Sequence, residues 1–196
     1  DIEFTGELRD YQENIINIFM SNLEKGGGLL EIPCGRGKTV MALAIAQKIG
    51  LKTLVIVHKT FLADQWIERI EQFLPNATVG RIQSNIIKTE SKDIVIGMLQ
   101  SISMKEYPDE TFKGFGLVIY DECHHLGAEV FSKALLRTNF KHTLGLSATP
   151  KRADGLSKVF EWYLGPIVFN IKKRDAEDVN VKIINYVCNE ESYCKE

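Results

Sequence analysis

Seven consecutive residues, Pro33, Cys34, Gly35, Arg36, Gly37, Lys38 and Thr39, carry the clearest chemistry in the chain. A loop that holds a chain of phosphates must turn several backbone N–H groups toward one anion, and glycine permits the close, tightly turned path this needs. Gly35 and Gly37 meet that need. Lys38 brings a cation able to reach β- and γ-phosphate oxygens, and Thr39 brings a hydroxyl for Mg²⁺. Where such a loop opens a helix, the helix dipole and the unpaired amides of the first turn add to the attraction. The expected ligand is ATP or a close relative. Ile32 stands where the full motif asks for glycine, so the match is to the shortened ending Gly-Xaa-Gly-Lys-Thr. Taken alone, that ending also fits a glycine-rich turn before an ordinary alanine-rich helix.

Two carboxylates supply what the loop lacks. Asp121 can hold Mg²⁺, directly or through water, while Glu122 can orient and help deprotonate an attacking water. An isolated Asp-Glu pair after a strand reads as a solvated loop; beside a phosphate loop it completes a hydrolytic site. His124 and His125 lack the His-Glu-Xaa-Xaa-His spacing of a zinc site. A histidine bonding to a neighbouring element fits better, with the Ser147 and Thr149 hydroxyls as candidates to receive His124. Those two also read as a Ser/Thr turn before Pro150.

These residues act together only if folding gathers them. Tyr11, Ile15, Ile18, Phe19 and Leu23 recur at helical spacing over 10–23, ahead of the breaker Gly26-Gly27-Gly28. Residues 29–32 then read as a strand, 33–37 as a loop and 39–49 as a helix. The alternation continues with a strand at 53–57, a helix at 62–73, strands near 79–82 and 94–97, and an apolar strand at 117–120. A strand at 143–146 and helices near 129–136 and 156–162 follow, with further strand candidates at 167–171 and 181–187. Strands alternating with helices predict an α/β fold with a mostly parallel sheet covered on both faces. In such sheets ligands sit beyond the carboxyl ends of the strands, where the loops above would all collect.

The ordered set resembles superfamily 2 helicases and translocases, specifically their first RecA-like motor domain. Residues 33–39 resemble motif I, Asp121-Glu122-Cys123-His124 a DECH variant of motif II, and Ser147-Ala148-Thr149 motif III. The resemblance runs from about residue 8 to 170. It implies a RecA-like three-layer P-loop domain over 1–170, with 171–196 a linker or the start of a second motor domain. Lys38 and Glu122 would be catalytic, and His124, Ser147 and Thr149 would couple hydrolysis to domain movement. Arg9 and Gln12 fall in a segment similar to the adenine-recognising Q-type motif, although as bare residues they only begin an amphipathic helix. Lys59 and Thr60 resemble motif Ia, and Gln100 and Ser101 the next family segment. These would contact phosphate oxygens of one nucleic-acid strand without reading bases. Trp66 could stack on a base, but its place in a helical apolar stripe favours core packing.

The stretch 147–155, Ser-Ala-Thr-Pro-Lys-Arg-Ala-Asp-Gly, is similar to the XPB-like, phage UvsW-like and large-DNA-virus branch of that superfamily. That likeness favours an ATP-dependent DNA helicase or translocase. The alternatives are an RNA helicase and a remodelling ATPase that separates no strands. The family also needs a second RecA-like domain whose arginine reaches the γ-phosphate, a contribution of ~10³ to 10⁵ in rate where it operates. This stretch is therefore expected to bind nucleotide, act as a monomer and unwind nothing alone.

Composition sets outer bounds. With 196 residues, 44% apolar and 26% charged, the chain can build a real core. A net charge of -2 weakens the case for binding nucleic acid mainly by bulk charge and leaves room for a local groove that holds phosphates. The four cysteines show no paired CxxC spacing and read as free thiols in a reducing compartment. No leader pattern and no apolar run near the ~18 to 20 residues of a membrane span is present, so the default is a soluble intracellular protein.

Overall fold

A computed structural model of the chain describes residues 2–122, 128–148 and 157–171. Its helices are α1 (Asp10–Ser21), α2 (Lys38–Ile49), α3 (Thr60–Phe73), α4 (Leu99–Met104), α5 (Ala128–Arg137) and α6 (Ser157–Leu164). The strands are β1 (Gly27–Glu31), β2 (Thr53–Val57), β3 (Val79–Gln83), β4 (Ile86–Lys88), β5 (Ile94–Met98), β6 (Leu117–Tyr120), β7 (His142–Ser147) and β8 (Ile167–Asn170). They form one sheet in the order β4-β3-β5-β2-β6-β7-β1-β8. Every neighbouring pair is parallel except β3 with β4.

The central strands show why the sequence carries nearly unbroken apolar runs there. Successive side chains on a strand point to opposite faces, so a strand covered on both sides needs apolar residues at every position. In β2, Val55 and Val57 join one core with α1, α2 and α3, while Leu54 and Ile56 join a second with α4, α5 and α6. Leu117 and Ile119 of β6 divide from Val118 and Tyr120 in the same way. The result is three layers, helix–sheet–helix, as expected of a RecA-like P-loop domain. Helix α2 is buried around most of its girth, from Met41 through Ala46, which explains its alanine-rich composition between sheet and flanking helices.

Several boundaries differ from the periodicity reading. The first helix stops at Ser21, and Leu23–Lys25 forms a separate 3-10 turn. Strand β1 begins at Gly27, inside the triplet expected only to break a helix. The edge strand β4 and the short helix α4 were not anticipated. Residues 172–196, with the strand candidate at 181–187, and the residues Cys123, His124, His125, Thr149 and Pro150 lie outside the described residues. Cys34 is a free, exposed thiol; the other three cysteines lie outside that set. Among the described residues no helix is long and apolar enough to cross a membrane.

The β1/β8 edge buries Glu31, only 6% exposed, where its carboxylate accepts a hydrogen bond from the Asn170 amide. Burial raises the Glu31 pKa above its ordinary value, repulsion from Glu161 adds to this, and the Asn170 bond opposes it. The native state thus holds this proton more tightly than the unfolded chain. The ionised carboxylate begins to cost stability as pH rises past the unfolded value of about 4.3, and the cost is complete above the raised native value. Glu31→Gln should therefore melt above the parent at pH 7, with the gap closing toward pH 4 in thermal unfolding followed by circular dichroism.

Candidate nucleotide site

Parallel topology places the carboxyl ends of β6, β7 and β1 side by side, in that order across the sheet. Glu31 pairs with Ser147, and Tyr120 pairs with Gly145, so the loops following these strands leave the same edge. Residues 33–39, Asp121 with Glu122, and Ser147 are thereby gathered from positions far apart in sequence. The Ile32 N–H donates to the Ser147 carbonyl at 2.8 Å, tying the start of the phosphate loop to the end of β7. Ser147 itself is buried at the close of that strand.

The loop leads directly into α2, whose first residue is Lys38. Gly37 adopts a left-handed φ of +77°, and a Cβ there would stand 2.4 Å from Nε2 of Gln12. Glycine is thus favoured by the backbone conformation, and an added Cβ would displace the Gln12 amide packed over it. Gln12 accepts the Arg9 N–H at 3.0 Å and donates to the Arg36 carbonyl at 3.3 Å, and the Tyr11 hydroxyl donates to the same carbonyl at 3.0 Å. The start of α1 therefore braces the loop. Arg9 itself is exposed, and Pro33, Cys34 and Gly35 form the outer part of the loop.

Lys38 Nζ forms an ion pair with Oε1 of Glu122, the two side chains being 10% and 18% exposed. Glu122 holds φ at +52°, a sparsely populated value for a residue with a side chain. Such strain persists only where surrounding contacts enforce it, and it concentrates at functional sites. Here the chain leaves β6 sharply and its carboxylate meets the loop lysine. Asp121 is 7% exposed, with its N–H donating to the Ile56 carbonyl at 3.0 Å. Burial pushes its carboxyl above the usual range; the Trp66 indole N–H pulls it back, Glu122 raises it further and Lys38 opposes.

Thr39 and Asp121 line one cavity of about 250 Å³, closed on the side of α3 by Gln65, Trp66, Glu68 and Arg69. A hydroxyl and a carboxylate facing one small space are hard oxygen donors, as Mg²⁺ prefers. Mg²⁺ keeps several waters and takes one or two protein oxygens beside substrate phosphates, so a two-residue set fits it. Sequence reasoning missed one member of this arrangement. Trp66, 1% exposed, donates its indole N–H to Oδ2 of Asp121 at 2.8 Å. It packs in the core, as its helical stripe implied, and is not available to stack on a base. The available signal was chemical, because a buried indole N–H requires an acceptor.

The residues expected to meet nucleic acid follow β2 and β5, which are adjacent in the sheet. Lys59 and Thr60 are exposed at the start of α3, with the Lys59 ammonium 5.7 Å from the centre of the Phe61 ring. Gln100 donates to the His58 carbonyl at 2.9 Å, linking the two loops. Ser101 is half-buried, and its hydroxyl accepts the Ser84 N–H at 2.9 Å, where it anchors the turn between β3 and β4.

A three-layer α/β fold with a glycine-rich loop entering a helix, a loop lysine and paired carboxylates on one edge of the sheet is the architecture of a RecA-like P-loop domain. Residues 5–152 match the family model described as type III restriction enzyme, res subunit, and the chain belongs to that family. A relative from Acanthamoeba polyphaga mimivirus, provisionally named ATP-dependent RNA helicase L396, is 42% identical over 95% of this chain and 36% of its own. One from Invertebrate iridescent virus 3, provisionally named helicase 109L, is 33% identical over 98% of this chain and 60% of its own. The chain thus spans less than two thirds of these relatives. The UvsW helicase of Bacteriophage T4 shares the fold with a TM-score of 0.71 at 21% identity, over 86% of this chain and 64% of that one. The SWI2/SNF2 ATPase core of Sulfolobus solfataricus, in complex with dsDNA, shares it with a TM-score of 0.69 at 21% identity, over 83% of this chain and 37% of that one.

Proposed function

We propose that this chain is the first motor domain of an ATP-driven enzyme that moves along or unwinds DNA. The observation that carries the reading is the Lys38–Glu122 ion pair beside the cavity shared by Thr39 and Asp121. It joins a phosphate-binding cation, a candidate base and a pair of oxygen donors within one site. Lys38 would exchange Glu122 for β- and γ-phosphate oxygens, with the backbone amides of the loop binding the same anion. Glu122, released from the lysine, would orient a water and accept its proton. Thr39 and Asp121 would hold Mg²⁺, which supplies charge neutralisation to the phosphates when bound. Gln12 has one amide hydrogen and one oxygen lone pair beyond its two bonds to the protein, the complement needed to recognise adenine.

Movement requires a second RecA-like domain in cis, supplying an arginine to the γ-phosphate, with residues 1–170 as the first motor domain and 171–196 leading onward. Ser147, with His124 and Thr149, would transmit closure of the two domains. Lys59, Thr60, Gln100 and Ser101 would follow the phosphate backbone of one strand. The dsDNA complex of the structurally similar SWI2/SNF2 core favours DNA. A second reading, an RNA motor, is favoured by the names of the mimivirus relative and of an African swine fever virus relative, provisionally named ATP-dependent RNA helicase QP509L. ATP hydrolysis by the full-length protein, measured with duplex DNA and with RNA at fixed salt, tests the choice. Stimulation by DNA above RNA is expected; stimulation by RNA alone would transfer the reading to the second class, and by neither would remove both.

A further inference from the structure

We infer that Trp66 is a positioning residue that links the nucleic-acid end of α3 to the metal-binding carboxylate of Asp121. The inference rests on the motor reading above and adds to it a physical connection between its two sites. Helix α3 is one continuous helix of 14 residues, and its exposed N-cap Lys59 and first residue Thr60 are the end assigned above to the strand. Trp66 lies six residues farther on, about 9 Å along the axis at the rise of an α-helix. Its ring is locked in the core with Ala63 and Ile70 of the same helix, so it cannot swing independently of α3.

The acceptor is equally constrained. Asp121 is held at its backbone by the Ile56 carbonyl, and at its side chain by the indole N–H at 2.8 Å. That N–H engages Oδ2, which assigns the orientation of the carboxylate plane in the cavity shared with Thr39. Gln65, Glu68 and Arg69 put the same helix along the wall of that cavity. A shift or rotation of α3 upon gripping a strand therefore moves the hydrogen-bond donor that orients Asp121. Coupling of this kind is reciprocal in binding free energy, so occupation of the metal–nucleotide site must alter the grip on the strand by the same factor.

Trp66→Phe keeps an aromatic ring in the core and removes only the indole donor. In the full-length protein, the Mg²⁺ concentration for half-maximal hydrolysis should rise by about 10- to 100-fold, the range for a hydrogen bond to a charged group. The nucleic-acid stimulation factor should fall with it, while the KM for ATP at saturating Mg²⁺ changes little. A merely space-filling tryptophan would leave the Mg²⁺ requirement unchanged. Subtracting the emission of the full-length Trp66→Phe variant from that of the full-length parent isolates the contribution of Trp66. Its emission should change when a non-hydrolysable ATP analogue is added with Mg²⁺, and also when a DNA oligonucleotide is added without nucleotide. An unresponsive Trp66, or a Trp66→Phe enzyme with parental Mg²⁺ requirement and stimulation, overturns the inference and leaves the motor reading standing. A parent enzyme that nucleic acid does not stimulate overturns both.

Discussion

ATP turnover by the full-length protein is expected to fall by about 10² to 10⁴ on Glu122→Gln, the range for losing a positioned general base. Nucleotide binding should survive, because glutamine keeps the size and an oxygen acceptor while losing the ability to take a proton. Lys38→Ala should be more damaging, since it removes a cation that acts on both the bound phosphates and the charge developing during transfer. It also strips Glu122 of an ion-pair partner in a site where both side chains are largely buried. Single-turnover hydrolysis and titration with a fluorescent nucleotide separate the two cases: slowed chemistry with retained binding for Glu122→Gln, and loss of both for Lys38→Ala. Turnover near the parental rate in Glu122→Gln would remove its role as base.

The largest effect on stability is expected at Gly27, remote from this chemistry. Its φ is +108°, and a Cβ would stand 2.0 Å from the carbonyl oxygen of Thr143, its register partner on β7. The obstacle is backbone within the central sheet, so no side-chain rotation relieves it. Gly27→Ala should cost more than about 3 kcal/mol, beyond the usual span for point substitutions. The adjoining Gly26 is an internal control: its φ is +99°, but a Cβ there meets nothing within 4 Å. Gly26→Ala should cost only the conformational penalty, roughly 1 to 2 kcal/mol. Urea unfolding of the two variants measures the difference, and equal losses would refute the steric account.

Much of this molecule could be read from its sequence because its strongest signals are local. The β-branched run in β2 and the apolar run in β6 announced buried strands, and the loop composition announced a phosphate site. What stayed hidden depended on partners distant in sequence. Strand β4 has all three residues exposed, so it carries no burial pattern to betray it. Its pairing comes from the turn held by Ser101, with Lys105 and Tyr107 bonding to Ser84 and Asn85. Helix α4 is six residues long, too short for periodicity to separate it from a loop. The triplet at 26–28 was legible as a break but not as a strand opening, because only the approach of β7 shows why glycine is needed. Trp66 was legible as core, while its acceptor lies 55 residues away.

The end of β1 is fastened on both flanks. On one side Ile32 bonds to Ser147; on the other the Ile171 N–H bonds to the Glu31 carbonyl at 3.0 Å and Asn170 holds the Glu31 carboxylate. In mechanical language this strand end is a fulcrum. A load applied to the phosphate loop cannot be absorbed by sliding β1 along its neighbours, since each would have to slide with it. Displacement is expressed beyond the fastening, first in the exposed residues Cys34 and Gly35. The stiffness of one strand end thereby determines where this domain can yield when its nucleotide changes state.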